Sequence, residues 1–173
     1  GGIWSASSNV TLVQDDGVIL LVDLGTPDRQ PDVLEALRRH GLKPGDINAV
    51  LLTHLHVDHV GALSLFPHTR IIVPEGVSEG SRLQFCNPTT LHPSPHSFVL
   101  RVPGHTANDI ALGVHTDDGR TVVVAFRGTN FFAEQGFRAD AECDPSDPAT
   151  PDMVAFTPWA SDAGFHVSSG GDA

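Results

Sequence analysis

The chain has 173 residues, enough for one domain with a substantial core, because a domain of about 150 residues hides roughly two thirds of its unfolded surface. A composition of 40% hydrophobic and 18% charged residues excludes a disordered or fibrous protein. The formal charge is −11, and the 10 basic residues are scattered without forming a stripe, so an extended nucleic-acid interface is disfavoured.

Apolar runs in the sequence are all shorter than the roughly 20 residues that a membrane helix needs. The first residues also lack a basic segment followed by an apolar one, so we expect a cytoplasmic protein without a membrane partner. Cys86 and Cys143 match no disulfide or metal spacing and are predicted to be free thiols.

The first third of the chain alternates between strand and helix patterns. Two β-rich runs, 9–14 and 18–23, flank the turn sequence Asp-Asp-Gly and predict a hairpin. Apolar residues at helical spacing predict a helix over about 30–40, with Gly41 as its left-handed C-terminal cap. The uninterrupted apolar run 47–52 indicates a strand covered on both faces. This alternation predicts an α/β layered domain.

The rest of the chain reads as strands separated by loops. A short helix is expected over 60–65, and a long irregular connection over 75–97, where proline is frequent and periodicity is poor. Strands are predicted over four further runs: 70–73, 97–102, 110–115 and 121–125. Except over 152–156, residues 126–173 show no convincing helix or strand period. We therefore divide the chain into a core of residues 1–125 and a divergent, loop-rich C-terminal segment of the same domain, 126–173.

The stretch THLHVDHVG, residues 53–61, places four metal-binding side chains at the end of the 47–52 strand. His54 and His56 share a face because side chains two apart in extended chain point the same way, so both imidazoles can bind one cation. Asp58 and His59 follow one turn later and can face a second point nearby. Imidazole and carboxylate together suit zinc, with iron or manganese as alternatives.

Five isolated histidines are predicted to be ordinary surface or hydrogen-bonding residues: His40, His68, His92, His96 and His115. The group at 54–59 differs from them, because four metal-competent side chains at one strand end have no packing rationale. We therefore interpret this group as a metal site.

THLHVDHVG resembles the signature of the metallo-β-lactamase superfamily, whose members are metal-dependent hydrolases with an αββα sandwich fold. The resemblance extends over about residues 9–125. VDLGTPD is similar to the first motif of the family, in which an aspartate, here Asp23, supports the metal loop. VPGHTAND is similar to the third motif, which supplies a further histidine ligand, here His105. Within the superfamily the chain looks most like the glyoxalase II type branch.

The resemblance implies a site and a reaction. His54, His56 and His105 would bind the first zinc ion, while Asp58 and His59 would contribute to a second. A zinc-bound hydroxide would attack an ester, thioester, amide or phosphodiester bond, with Asp58 orienting the water as base. A small-molecule substrate is expected; RNA stays an alternative because one member of this branch is associated with histone RNA processing, although this chain has no basic patch.

Two motifs of the family are missing from the sequence. The fourth should end a strand with a metal-bridging aspartate, but TVVVA runs into FRGTNFF, where Thr129 or Asn130 falls nearest. The fifth should supply a last histidine, and the only later histidine is His166. We therefore predict one firm zinc site, a second that is weak or absent, and a sandwich that is incomplete or altered in its C-terminal part.

Two alternatives stay open at the level of the sequence. One is a catalytically impaired metal-binding or interaction protein on the same fold, and the other is a truncated product of such a hydrolase. Both are motivated by the loss of the fourth and fifth motifs together.

Overall fold

The computed structural model describes residues 7–125 and two further short strands, 153–155 and 166–167. This part of the chain contains one α-helix, α1 (Gln30–Arg39), and eleven strands. The strands are β1 (Thr11–Asp15), β2 (Val18–Val22), β3 (Ala49–Leu51), β4 (Arg70–Val73), β5 (Gly76–Glu79), β6 (Arg82–Phe85), β7 (Ser97–Arg101), β8 (Ile110–His115), β9 (Thr121–Val124), β10 (Met153–Ala155) and β11 (His166–Val167). No described helix has the length and apolar character of a bilayer-spanning segment.

The first sheet has the strand order β11-β1-β2-β3-β4-β5-β6. Strands β1 and β2 form an antiparallel hairpin whose turn residues Asp16 and Gly17 both have positive φ, at 46° and 79°, as a two-residue hairpin turn requires. Strands β2, β3 and β4 then run parallel, so their carboxyl ends meet at one edge of the sheet. Every residue of β3 is buried, as predicted for a strand covered on both faces.

The second sheet has the order β10-β9-β8-β7 and packs face to face on the first. Alternate residues of the two sheets interdigitate in a shared core, as the two-residue period of a strand dictates. The buried residues of this shared core are Val13, Leu20, Val22, Ala49, Leu51 and Ile72 from the first sheet and Val99, Ile110, Leu112, Val114, Val122 and Val124 from the second.

Helix α1 covers the outer face of the first sheet. Its buried residues Val33 and Leu37 join the apolar side chains that point away from the second sheet, among them Leu21 and Val50. Gly41 ends the helix in a left-handed conformation, φ 70°, as predicted. The described residues thus form the α, β and β layers of the predicted αββα sandwich.

The structure corrects two predictions about local structure. Residues 75–97 are not one irregular connection, because they contain the β5–β6 hairpin. All four residues of β6 are exposed, so backbone pairing at the sheet edge holds this strand and no burial pattern marks it in the sequence. The short helix expected over 60–65 is only a 3₁₀ turn, Leu63–Leu65.

Most of the C-terminal segment, 126–173, lies outside the described residues. The one stretch of this segment in which the sequence shows a period, 152–156, contains β10, so the period is that of a strand. Strand β11 pairs with β1 in parallel, with His166 opposite Thr11.

Candidate metal centre

The histidine cluster lies at the carboxyl ends of β2 and β3, where the two sheets are tied together. Asp23 directly follows β2, and its backbone N–H donates to the carbonyl of Leu51 at 2.9 Å. The N–H of Ile110, the first residue of β8, donates to the carbonyl of Thr53 at 2.9 Å. This second bond joins the loop after β3 to the loop between β7 and β8, which carries His105.

His54, His56 and His105 converge on one point, although His105 comes from the other sheet. His56 Nδ1 lies 3.1 Å from His54 Nε2 and 2.9 Å from His105 Nε2. One ligand atom from each ring lies within 4.8 Å of the other two. His54 is buried, whereas the rings of His56 and His105 are exposed. The cluster therefore has a closed inner side and a side open to solvent.

This geometry fits a zinc ion. Two nitrogens on one tetrahedral zinc, each about 2.0 Å from the metal, lie roughly 3.3 Å apart. Burial, followed by the neighbouring His59, lowers the pKa of His54 to about 4. His54 is therefore neutral at physiological pH, which is the form of imidazole that binds a metal.

Asp23 organises the inner side of the site. It is buried in a left-handed conformation, φ 58°, which aspartate tolerates better than most residues. Its carboxylate accepts the Thr53 N–H at 2.8 Å and the Thr53 hydroxyl, which lies 2.9 Å from Oδ2. His59 Nδ1 lies 2.8 Å from the same Oδ2. Asp23 thus contacts the loop that bears the histidines, which is the position that the resemblance to the family implies for it.

Asp58 and His59 form a separate pair beside the three-histidine cluster. His59 Nε2 lies 3.6 Å from Asp58 Oδ2. Burial lowers the pKa of His59, but the hydrogen bond and charge of Asp23 outweigh it and raise the pKa above its ordinary value. Among the described residues, no third histidine, cysteine or carboxylate joins this pair in a group tight enough to hold an ion.

The predicted positions of the fourth and fifth motifs are not among the residues whose side chains the structure describes. Thr129, Asn130 and the side chain of His166 lie outside the described residues. The backbone of His166 pairs with Thr11, and Thr11 in turn pairs with Val22. The backbone of His166 therefore lies at the end of the sheet where β2 ends and Asp23 follows.

Asp109 is a residue of the site region that sequence reasoning missed. It is fully buried, and its carboxylate accepts the N–H groups of His105 and Thr106, both at 2.8 Å, and the Thr106 hydroxyl at 2.5 Å. A threonine three residues before an aspartate that directly precedes a strand was the available signal, because such pairs commonly close turns. Thr53 and Thr106 have parallel roles, because each donates its hydroxyl to a buried aspartate beside the site.

Three of the histidines predicted to be ordinary have hydrogen-bond partners far from this edge. His92 Nδ1 lies 3.0 Å from the Ser97 carbonyl, and His115 Nδ1 lies 2.9 Å from the Thr121 hydroxyl. His96 bonds Asp15 at 2.8 Å and, with Asp15 and Asp16, forms a second group of closely spaced ligand atoms. That group lies at the opposite end of the sheets, at the β1–β2 turn.

Comparison with known proteins identifies the family. The model of the metallo-beta-lactamase superfamily matches residues 5–124. This chain belongs to the metallo-β-lactamase superfamily. The assignment confirms the predicted family and the αββα fold class, and it places the chain among proteins that are generally metal-dependent hydrolases.

Relatives of the chain include a hydroxyacylglutathione hydrolase (glyoxalase II), in line with the branch that the resemblance suggested. The chain is 35% identical over 130 residues to metallo-beta-lactamase domain-containing protein 1 of Xenopus laevis, covering 72% of this chain and 55% of the relative. It is 38% identical over 114 residues to a hydroxyacylglutathione hydrolase of Stenotrophomonas maltophilia, and this match covers 58% of this chain and 39% of the relative. The chain therefore spans about half the length, or less, of these relatives.

A solved structure shares the fold at lower sequence identity. An N-acyl homoserine lactone hydrolase, with N-hexanoyl-L-homoserine bound at its catalytic metal centre, superposes with a TM-score of 0.55 at 20% identity. The similarity covers 71% of this chain and 66% of that one. At this identity the similarity concerns the fold alone.

Proposed function

We propose that this chain is a zinc-dependent hydrolase of small acyl esters and thioesters. The observation that carries the proposal is the convergence of His54 and His56 from one sheet with His105 from the other. Packing alone gives no reason for three imidazoles to meet at an exposed sheet edge, whereas a shared divalent ion does.

The donor set suits a catalytic ion better than a structural one. His54, His56 and His105 supply three nitrogens, and a structural zinc site normally takes four protein ligands. Zinc bound by three protein ligands supplies Lewis-acid activation of water near neutral pH. Of the three rings, only His54 is buried, so the open side of the cluster admits a substrate.

Asp58 is the proposed proton acceptor. Its side chain is half-buried, with 26% of its surface exposed, and its backbone carbonyl accepts the Ser8 N–H at 3.0 Å. That bond holds the residue at the rim of the site. A carboxylate in this place can orient an attacking water and take its proton.

The charge of the chain favours an acyl substrate over a nucleic acid. A formal charge of −11 opposes the binding of a polyphosphate. The hydroxyacylglutathione hydrolase among the relatives supports a thioester as the first bond to test.

We propose one firm zinc ion per chain. Asp58 and His59 offer two ligands for a second ion, and a second ion bound by two ligands alone would be weak. His59 is also engaged by Asp23 through Nδ1, so Nε2 is the nitrogen it can present to a metal.

The second candidate is a metal-binding protein without turnover. It is favoured by the sequence after β9, which has no aspartate where the family places its bridging ligand. This candidate predicts the same zinc ion at His54, His56 and His105 and no hydrolysis.

Turnover by the zinc-loaded chain separates the two candidates. An acyl thioester, an oxyester, a lactone and a phosphodiester would be assayed with the wild type, His105→Ala and Asp58→Asn. We expect thioester or ester hydrolysis that His105→Ala abolishes and that Asp58→Asn lowers by about 10²- to 10⁴-fold in kcat with zinc retained.

His115→Ala is the matched control, because His115 is an exposed histidine bonded to Thr121 at the opposite end of β8. It should leave both zinc binding and turnover unchanged. Zinc binding without turnover on any of the four bond classes would favour the second candidate, and equal turnover in wild type and His105→Ala would refute the proposed site.

A further inference from the structure

We propose that Asp109 is a positioning residue that places His105 for metal binding. The inference deepens the proposed function and rests on it. Asp109 is four residues from His105 and accepts the His105 N–H, so its proposed effect passes through the backbone of the turn that it closes.

Within the part of the chain that the structure describes, the side chain of Asp109 forms its hydrogen bonds with the turn that carries His105. Oδ2 accepts the N–H groups of His105 and Thr106, both at 2.8 Å, and Oδ1 accepts the Thr106 hydroxyl at 2.5 Å. The turn is closed further by the Gly104 N–H, which donates to the Thr106 carbonyl at 3.0 Å. Asp109 therefore fixes the direction in which the His105 backbone leaves the turn.

Asp109 is itself fixed at the junction of the two sheets. Its carbonyl accepts the Val102 N–H at 2.9 Å, and the next N–H in the chain, that of Ile110, donates to the Thr53 carbonyl at 2.9 Å. Thr53 immediately precedes His54. The same short segment thus joins the turn of His105 to the loop that carries the other two rings.

Burying the Asp109 carboxylate without hydrogen-bond donors would cost folding free energy. Asp109 is 0% exposed, and a buried carboxylate is tolerated only when donors surround it. Here the donors are the backbone and side chain of the residue pair 105–106. The exposed ring of His105 depends on this turn for its direction, and a metal site requires its ligands to be held within about 0.5 Å.

Zinc affinity of folded apo-protein tests the proposal. Affinities would be measured by competition with a chromophoric chelator, after circular dichroism has shown that each variant is folded. Asp109→Ala should weaken zinc binding by about 10- to 100-fold, the usual effect of removing an outer partner of a metal ligand. Asp109→Asn should stay within about threefold of wild type, because its amide oxygen can still accept both backbone N–H groups.

Two further variants serve as a second probe of the turn and as a control. Thr106→Val removes only the hydroxyl bond and should weaken binding by a few-fold, so it reports on the turn even if Asp109→Ala fails to fold. Asp46→Ala removes another turn carboxylate, which accepts the Lys43 N–H at 2.9 Å at the far end of β3, and should leave zinc affinity unchanged.

Histidine ring ¹⁵N chemical shifts distinguish positioning from general loosening. On zinc addition to Asp109→Ala, His54 and His56 should still shift while His105 does not. Unchanged affinity in Asp109→Ala, a loss in Asp109→Asn as large as in Asp109→Ala, or uniform loss at all three rings would overturn the inference. A wild-type chain that binds no zinc would overturn the proposed function as well, whereas wild-type binding with an unaffected Asp109→Ala overturns this inference alone.

Discussion

At the scale of single residues, the Thr53 hydroxyl contacts four polar atoms of the site. It lies 3.1 and 2.9 Å from the two carboxylate oxygens of Asp23 and 3.2 and 3.3 Å from the Nδ1 atoms of His54 and His59. Thr53 is 1% exposed, so water does not replace these contacts. The Thr53 hydroxyl therefore connects Asp23 with two proposed metal ligands, His54 and His59, through hydrogen bonds.

Thr53→Val keeps the shape of the side chain and removes this hydroxyl. We expect the free energy of unfolding of the metal-free chain to fall by about 1–3 kcal/mol, because buried polar partners lose a hydrogen bond. Urea unfolding measures the change. Thr121→Val is the control, since the Thr121 hydroxyl contacts only the exposed His115 ring among the described residues and the change should stay within about 0.5 kcal/mol. Equal effects of the two substitutions would contradict the assigned role of Thr53.

At the scale of elements, the loop after the histidines is locked against the loop after β2. The Gly61 N–H donates to the Gly25 carbonyl at 2.8 Å, and the Leu24 N–H donates to the His59 carbonyl at 2.9 Å. Gln30, at the start of α1, donates from Nε2 to the Gly61 carbonyl at 2.9 Å. Helix α1 and the first two site loops therefore form one hydrogen-bonded unit, in which backbone bonds join the loops and the Gln30 side chain joins the helix.

Gly61→Ala should break this unit. A Cβ at position 61 would lie 2.1 Å from the carbonyl carbon of Thr26 and 2.3 Å from the nitrogen of Pro27, and these backbone atoms cannot swing aside as a side chain could. We expect a loss of about 1–3 kcal/mol or more in the free energy of unfolding, together with weaker zinc binding. Thermal and urea unfolding with and without zinc would measure both effects.

Gly45→Ala provides the matched control, because a Cβ there has no atom within 4 Å and the position lacks a positive φ. It should be neutral or stabilise the chain by up to about 1 kcal/mol. A Gly61→Ala variant as stable as Gly45→Ala would show that the two loops do not pack as described.

Elements held by burial and turn chemistry were predictable from the sequence, and elements held by backbone pairing at an edge were not. The period of α1, the capping Gly41 and the apolar β3 each carry a local signature that the structure reproduces. Strand β6 carries none, because its residues are exposed and only its register with β5 defines it.

The residues of the candidate site also divide into those that the sequence predicts and those that it does not. His54 and His56 are neighbours in sequence, so their meeting follows from local geometry, whereas the contribution of His105 was expected only from the resemblance to the family. For Asp109 the spacing from Thr106 indicated at most a closed turn, because two of its three partners are backbone N–H groups whose direction depends on how the turn between β7 and β8 closes.

At the scale of the whole molecule, an ion pair joins the two sheets at the end opposite the metal centre. His96, just before β7, lies with Nδ1 2.8 Å from Asp15 Oδ1 at the end of β1, and its N–H donates to Asp15 Oδ2 at 2.8 Å. The hydrogen bond to Asp15 and then the charge of Asp15 raise the pKa of His96, with smaller contributions from Asp16 and Asp117. Burial raises the pKa of Asp15, but hydrogen bonds from Ser94 and His96 outweigh it and lower that pKa below its ordinary value.

These opposite shifts predict a pH window for the contact. The pKa of His96 is raised on folding. The stability that protonated His96 adds to the folded chain is therefore complete at pH values below its unfolded pKa, and it is lost as the pH rises through its folded pKa. The contribution of Asp15 is present above its unfolded pKa and is lost as pH falls through its lowered folded pKa. The pair therefore stabilises the chain most in mildly acidic solution.

His96→Gln tests this window. The difference in urea midpoint between wild type and His96→Gln should be larger at about pH 5.5 than at about pH 8.5, because protonated His96 pairs with Asp15 only at the lower pH. Asp15→Asn should remove the pH dependence of that difference. A difference that is the same at both pH values would contradict an ionic contact between the sheets.

The zinc content of the chain is the most direct test of the central claim, that imidazoles from two sheets bind one ion. Elemental analysis after dialysis would be combined with thermal melting in the presence and absence of zinc. We expect about one zinc ion per chain, stabilisation of roughly 2.7 kcal/mol when free zinc is 100 times its Kd, and loss of both in His105→Ala. No zinc in the folded wild type, or an equal zinc content in His105→Ala, would contradict the account.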